Sequence, residues 1–274
     1  MRKPIRQSRS DARPFVLTLN VGNTHTTLVL WPMNGPAVKV GWRTGERIPA
    51  KARKLLSKNV TVVLAGVVPK YIKSLEAGLN GHCRVFRFRK DIPAPIVIVP
   101  RPANKVGDDR IAGALGAFGL NRGSRTVLID AGTAVTINAV RPTRKYKPPR
   151  FEGGLILPGA SMSFAALATK TAQLPKCAAT PLDSKNFIGR STEEAIRLGV
   201  QQGQAAMITE LARAQAKQLG AGTKVVLTGG GAEDPVLVQS LKRALGRKLL
   251  VARNVVHLGL VWAWQEFLNR RGRS

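Results

Sequence analysis

One pattern, written twice, limits what this chain can fold into. FVLTLNVGNTHTTLVLW, from Phe15, runs an apolar segment into a turn holding Gly22 and Thr24, then out again as a second apolar segment. SRTVLIDAGTAVTINAV does the same around Gly132 and Thr133. Apolar, β-branched runs bounded by Gly, Asn and Thr read as strand, turn, strand. Glycine supplies the backbone freedom that such tight turns need, and asparagine tolerates it. Two copies of one device, each followed by helical segments, imply an α/β chain of two similar lobes with a cleft between them.

The rest of the chain fills in around these copies. Ala52 to Lys58 reads as a short helix, NVTVVLAGVV as a strand ending at Pro69, Tyr71 to Leu79 as a helix and CRVFRF as a short strand. Residues 91–106 hold four prolines and read as extended loop or edge strand. Ile111 to Leu120 is apolar nearly all round, the mark of a buried helix. After the second copy, RPTRKYKPPR reads as a polar hairpin tip, and FEGGLILPG continues the sheet. Met162 to Gln173 and Thr192 to Gln218 read as helices, with Ser191 or Thr192 and Glu194 marking a helix start. KVVLTGGG is a strand entering a glycine turn, and Val236 to Ala244 and Leu258 to Asn269 are further helices. The expected boundaries are a disordered basic tail over 1–14, one lobe over 15–122 and a second over 123–274. The last helix is free to pack back on the first lobe.

Composition narrows the partners. The 274 residues are 44% hydrophobic, enough to bury a full core. Lys plus Arg number 44 against 15 Asp plus Glu, a net charge of +29. That field excludes cationic partners and favours nucleotides, phosphorylated metabolites and other polyanions, including non-specific contact with nucleic acid. Two cysteines, Cys83 and Cys177, are too few for a disulfide framework and fit a reduced compartment. The longest apolar stretches, such as Val60 to Val68, fall short of a membrane span of about 20 residues. A soluble cytoplasmic protein is expected, with no membrane partner.

Three segments can carry chemistry. The VGNTH turn offers backbone N–H groups and the hydroxyls of Thr24, Thr26 and Thr27, a concavity suited to phosphate; an ordinary asparagine hairpin is the alternative. Asp130 closes the apolar run Val127, Leu128, Ile129. A carboxylate there is costly unless paired or bound to a cation, although it could instead cap a turn; Thr133 and Thr136 beside it could donate to phosphate. VGDDRIAGALGA sets Asp108, Asp109 and Arg110 at the start of an apolar helix. One Asp could act as a general base and Arg110 as a bidentate anchor for an anion; an N-cap and a surface ion are the alternatives. LTGGG could let a nucleotide approach the backbone or be a plain turn. No GxxxxGK[ST] loop, no strong GxGxxG behind a first strand, no GxSxG elbow and no Cys/His metal cluster is present.

Taken together, VGNTH, AGVVP, GDDR, DAGTAVT, EGGLILPG, TAQLP and IGRSTEEAI stand in the order and spacing of the type III pantothenate kinases. The chain resembles that family from about Phe15 to Phe267. The family belongs to the sugar kinase, Hsp70 and actin superfamily. The resemblance implies two RNase H-like, actin-like ATPase lobes, a homodimer, and phosphorylation of pantothenate by ATP as the first step of coenzyme A synthesis. It also implies Mg²⁺ and a monovalent cation, K⁺ or NH₄⁺. Carried over, Asn20, Gly22, Asn23, Thr24, His25, Thr26 and Thr27 would hold the ATP phosphates with Thr133. Asp109 would accept the proton, Gly107, Asp108, Asp109, Arg110 and Thr192 would line the pantothenate site, and Asp130 would bind the monovalent cation. Two positions depart from the pattern. The family's first motif opens with Asp where this chain has Asn20, and it tends to carry Tyr where this chain has Pro100. The loss of charge at Asn20 should weaken metal binding. A catalytically weak homologue that binds nucleotide or nucleic acid as a regulator is the alternative reading.

Overall fold

The computed structural model describes residues 16–32, 36–56, 60–143, 147–180 and 186–272. The basic tail expected over 1–14 lies outside them, as do residues 144–146 of the polar hairpin tip. In chain order the elements are β1 (Val16–Val21), β2 (His25–Trp31), β3 (Val38–Arg43), α1 (Ala50–Arg53), β4 (Thr61–Gly66), α2 (Pro69–Leu79), β5 (Arg84–Arg87), β6 (Val97–Ile98) and α3 (Asp108–Leu120). They continue as β7 (Thr126–Ala131), β8 (Ala134–Arg141), β9 (Arg150–Pro158), α4 (Ala160–Lys170), α5 (Thr192–Leu219), β10 (Lys224–Thr228), α6 (Pro235–Leu245), β11 (Leu249–Val251) and α7 (Val255–Arg271).

The strands form two sheets with the same topology. The first runs β3-β2-β1-β4-β5. The second, from the other edge, runs β9-β8-β7-β10-β11, with β6 added beyond β9. In each, an antiparallel hairpin (β1–β2, β7–β8) is followed by a parallel strand laid beside its first member (β4, β10). The repeat seen in the sequence is therefore a repeat of whole lobes. Three features differ from the sequence reading. β3 was not anticipated; it is an edge strand with one buried residue, Trp42, so its apolar signal is faint. β6 lies within the 15–122 segment but pairs in parallel with β9 of the second sheet. The short helix begins at Ala50 and covers four residues.

Each sheet has its own outer core. Leu17, Leu19, Val21, Val62 and Leu64 pack against Ile72, Leu75 and Leu79 of α2. Val127, Ile129, Val225 and Leu227 pack against Ile208 and Ala212 of α5 and Leu237 and Leu241 of α6. Central strands covered on both sides read as continuous apolar runs, which is why β1, β4, β7 and β10 were legible. A third core joins the lobes. It is built from Ile111, Ala112 and Leu115 of α3, Leu260, Ala263 and Trp264 of α7, and Val63, Val140 and Phe151 from both sheets.

The helices α3 and α7 are the middle layer. α3 touches β4 of the first sheet and β7 and β8 of the second, while α7 rests on β1 and β4. Their backbones meet at two glycines. A methyl on Gly116 would sit 2.0 Å from the Val255 carbonyl oxygen, and one on Gly259 would sit 1.8 Å from that of Ala112. No side chain fits there, so this crossing is set by glycine alone. Among the described residues, no helix is long and apolar enough to cross a membrane.

Candidate active site

The two glycine turns face one another. The Thr133 hydroxyl donates to Thr24 Oγ1 at 2.9 Å, 109 residues away in sequence. A glycine amide closes each turn at 3.1 Å, Gly22 donating to the His25 carbonyl three residues on and Gly132 to that of Ala134 two residues on, so the first turn is one residue longer. Among the described residues, the amides of Asn23, Thr24 and Thr133 have no protein acceptor. Unpaired N–H groups gathered at two opposed turns form an anion-binding concavity.

The hydroxyls next to the first turn are divided in use. Thr44 Oγ1 donates to the Gly22 carbonyl at 2.8 Å, and buried Thr26 lies 2.9 Å from Thr44 Oγ1. Thr27 Oγ1 lies 2.8 Å from Nε2 of His257. Contrary to the expectation from sequence, the side chains of Thr26 and Thr27 are thus committed to the scaffold beneath the turn. Strand alternation explains it, because only the turn residues escape the two faces of the sheet.

Behind the turns stand two equivalent strand ends. Asn20 is the penultimate residue of β1 and Asp130 that of β7, each two residues before its glycine. The Asn20 Oδ1 atom is buried and has no hydrogen-bond partner. Burial drives the Asp130 pKa up to about 6; the charge of Asp109 pushes the same way, and Lys39 opposes it. A buried acceptor without a donor and a carboxylate driven toward protonation are both what a cation would relieve. Oxygen donors of this kind suit a hard ion such as Mg²⁺ or an alkali cation. Among the described residues, no group of three or more His, Cys, Asp or Glu side chains could hold a metal alone. Gly229, at a φ of 85°, lets the loop after β10 press on this point; a Cβ there would lie 2.6 Å from Asp130 Oδ1.

Asp109 approaches from α3. Its charge bears on Asp130, so the start of α3 lies within electrostatic reach of the end of β7. Burial raises its pKa, opposed by the Arg110 amide, which donates to Asp109 Oδ1 at 2.7 Å, and by the Arg110 charge. Arg110 turns to the second sheet. Its Nε and Nη2 donate to Asn138 Oδ1 at 2.9 and 2.7 Å, and its guanidinium lies 5.5 Å from the centre of the Phe151 ring. Asn138 is fully buried and held in turn by Thr136. Burial lowers the Arg110 pKa, against the pull of Asp109.

The two acids of GDDR are not equivalent. Asp108 pairs with Arg89 at 3.0 Å, and Arg89 also donates to the carbonyls of Val106 and Ala103. Burial raises the Asp108 pKa, with Arg89 opposing. Its carboxylate therefore staples the proline-rich loop to α3 and is not free for a ligand. Gly107 is the N-cap of α3, and a Cβ on it would lie 2.6 Å from Asp109 Oδ1, so the acid packs closely against the backbone. Thr192 is exposed in the first turn of α5, where Ser191 caps the helix by accepting from the Glu194 amide. Pro100 rests on Gly153 of β9, 3.3 Å from the site of a Cβ. Sequence reasoning passed over Asn138, Arg89, Lys39 and His257. A buried Asn in an apolar strand was the one local signal among them; the others act through contacts distant in sequence.

The model for type III pantothenate kinase matches residues 16–214. The chain belongs to the type III pantothenate kinase family. The matched stretch carries both glycine turns, GDDR and most of α5. The type III pantothenate kinase of Myxococcus xanthus is 31% identical over 251 residues, covering 84% of this chain and 91% of that one. That of Streptomyces griseus is 32% identical over 245 residues, with 79% and 87% covered. That of Persephonella marina reaches 34% over 178 residues, 62% of this chain and 65% of its own length. In shape the chain is similar to the activator of 2-hydroxyisocaproyl-CoA dehydratase from Clostridium difficile, solved with bound ADPNP. The TM-score is 0.54 at 13% identity, over 95% of this chain and 98% of that one. A putative 2-dehydro-3-deoxygalactonokinase from Sinorhizobium meliloti gives 0.52 at 12% identity, over 92% and 96%. The fold is thus the two-lobed, actin-like ATPase fold, and this pantothenate kinase relative repeats its hairpin in each lobe.

Proposed function

We infer that this protein transfers the γ-phosphoryl group of ATP to the primary hydroxyl of pantothenate, the first committed chemistry of coenzyme A synthesis. The observation that carries the reading is that the two glycine turns meet while Asp109 stands within electrostatic reach of the second. Thr133 bonds Thr24 between the turns, and the charge of Asp109 is felt by Asp130 at the second turn's root. The free amides of Asn23, Thr24 and Thr133 would hold the phosphates. Asp109 would take the hydroxyl proton as that oxygen bonds to phosphorus and the bridge to ADP breaks. A carboxylate whose pKa burial has raised is a better base for this than an exposed one. Arg110, oriented by Asn138, keeps N–H groups for the pantothenate carboxylate. Gly107 and the Asp108 backbone would line that site, with Thr192 reaching it from α5. Phosphoryl transfer needs positioning and charge neutralisation above all.

The donor set fits a cation. Asn20 Oδ1 and the Asp130 carboxylate would hold Mg²⁺ and a monovalent ion, which supply charge neutralisation at the phosphates when bound. A homodimer is supported by exposed apolar side chains near α4 and α5: Phe187 is 71% exposed, Ile188 75% and Ile156 64%. A groove of about 540 Å³ between α4 and α5 is lined by Leu167, Ile196, Val200 and Met207. The free cysteines, Cys83 and Cys177, fit a reducing cytoplasmic setting.

The test is ADP release with pantothenate, Mg²⁺ and K⁺. Asp109→Asn should lower kcat by about a hundredfold or more while the variant still binds ADP. Turnover within a few-fold of wild type would remove Asp109 as the proton acceptor. One observation favours a second reading, a nucleotide-binding protein of low turnover: the neutral Asn20 at the metal side of the crevice. ADP binding without pantothenate-dependent turnover would favour it.

A further inference from the structure

The mechanism above leaves a buried histidine beside the first turn unused. His257, on the first turn of α7, is 3% exposed and has both ring nitrogens engaged. Nε2 lies 2.8 Å from Thr27 Oγ1, and Nδ1 lies 2.9 Å from Thr18 Oγ1. Thr18 sits on β1 and Thr27 on β2, where it is the cross-strand partner of Asn20. One imidazole therefore ties together the two strands whose turn carries the free amides of Asn23 and Thr24.

The proton inventory is consistent. Trp31 Nε1 donates to Thr18 Oγ1 at 3.0 Å, and the Thr18 hydroxyl points its own proton at the Val29 carbonyl, 3.4 Å away. Nδ1–H then donates to Thr18, and Nε2 accepts from Thr27; this tautomer is assigned from the network. Burial, with Lys39 adding to it, drives the imidazole pKa down to about 3, so the ring is neutral at working pH and one proton is what it has to place. Thr27 has a single hydroxyl proton, and it goes to the ring.

The other end of the connection is α3. Two residues beyond His257, Gly259 sets α7 directly on the backbone of Ala112 and Gly116. Ala112 stands three residues, about one turn, after Asp109. A continuous set of contacts thus runs from the first phosphate turn through Thr27, His257, Gly259 and Ala112 to the acid.

We propose that His257 is a positioning residue for phosphoryl transfer, holding the Gly22–Thr24 turn through Thr27 at a fixed distance from Asp109. Thr27 is in this account the anchor of the turn and not a phosphate ligand. The proposal rests on the kinase reading for its catalytic part; the ordering of the turn does not depend on that reading. A histidine that only fills space would alter stability alone.

The experiment compares His257→Phe, His257→Gln, Thr27→Val and the double variant His257→Phe/Thr27→Val. Phe removes both bonds, and Gln restores an amide near the Nε2 position. Three quantities are read on protein whose folding is verified by circular dichroism: amide hydrogen exchange at Gly22–Thr24 without ligand, the Kd for ADP, and kcat and KM for each substrate. His257→Phe should speed exchange at the turn and raise the KM for ATP, each by about tenfold, as expected for a lost buried hydrogen bond. The KM for pantothenate should stay within about twofold of wild type, Gln should recover most of the loss, and the double variant should be no worse than His257→Phe, since coupled residues are not additive. Unchanged exchange at Gly22–Thr24 in folded His257→Phe or in Thr27→Val would overturn the proposal, and so would additive effects. Thr27→Val decides the matter if His257→Phe does not fold. Should wild type show no turnover, the kinase reading fails separately, and exchange and ADP affinity still decide the role of His257.

Discussion

The two hairpins share a backbone plan and differ in charge. β1–β2 and β7–β8 are both antiparallel pairs closed by a glycine amide, with equivalent neighbours in β4 and β10, the first turn being one residue longer. Yet the first strand carries a neutral amide, Asn20, as its penultimate residue, and its counterpart a carboxylate, Asp130. The first hairpin is also braced by side chains, through Thr44 and the Thr18–His257–Thr27 bridge, whereas the second is pressed by backbone at Gly229. A repeated fold supplies geometry twice; it does not supply the same electrostatics twice. Among the described residues, the acids that bear on each other here are Asp109 and Asp130, and the first hairpin contributes none.

The sharpest way to break the comparison is Asp130→Asn, which makes both strand ends amides. Turnover should fall by about ten- to a hundredfold, and any dependence on a monovalent cation should disappear. Stability should move the other way. The folded-state pKa is raised, so the protonated form favours folding fully only in acid, and that gain is lost as pH rises through about 6. Removing the carboxylate should therefore stabilise the ligand-free protein by about 1–3 kcal/mol at pH 8 and hardly at all near pH 4. Urea melts at the two pH values check this; an equal shift at both would mean that Asp130 is not held in a charge-averse site.

Asn20→Asp makes the ends alike in the opposite sense. Mg²⁺ affinity, followed by calorimetry with ADP present, should tighten by about tenfold. Without ligand, melting at neutral pH should drop by about 1 kcal/mol, because a further carboxylate joins Asp109 and Asp130. Metal affinity unchanged by the added charge would place the ion away from β1. The smallest effect belongs to the contact between the turns. Thr133→Val removes one partly exposed hydrogen bond and should cost about 0.5–1 kcal/mol, with a few-fold rise in the KM for ATP.

How much of this could be read from the chain follows from where each signal resides. The hairpins were legible because glycine, threonine and unbroken apolar runs mark them locally. The helix from Ile111 was legible too, and it begins three residues earlier because Gly107 caps it and the acids occupy its first turn. β3 was missed since it buries only Trp42. β6 was read as loop or edge, and its membership of the second sheet depends on two residues meeting Arg150 and Phe151 far along the chain. In the site, Asp109 and Asp130 were singled out by residue type and spacing. The uses of Asp108, Thr26 and Thr27 were not, because Arg89, Thr44 and His257 reach them only after folding. Side-chain partners at long range leave no period in a sequence.

Return to the crossing of α3 and α7, where two glycines bring backbone against backbone. Such a junction resists sliding, since displacement along either axis drives a neighbouring side chain into a carbonyl, and the buried cluster around it, which includes Leu115, Phe151 and Trp264, opposes rocking as well. The layer between the lobes is thereby held in register by a contact the size of a single peptide group. Any drift at Gly116 or Gly259 during descent must be answered at the other in the same step, or the two turns no longer meet.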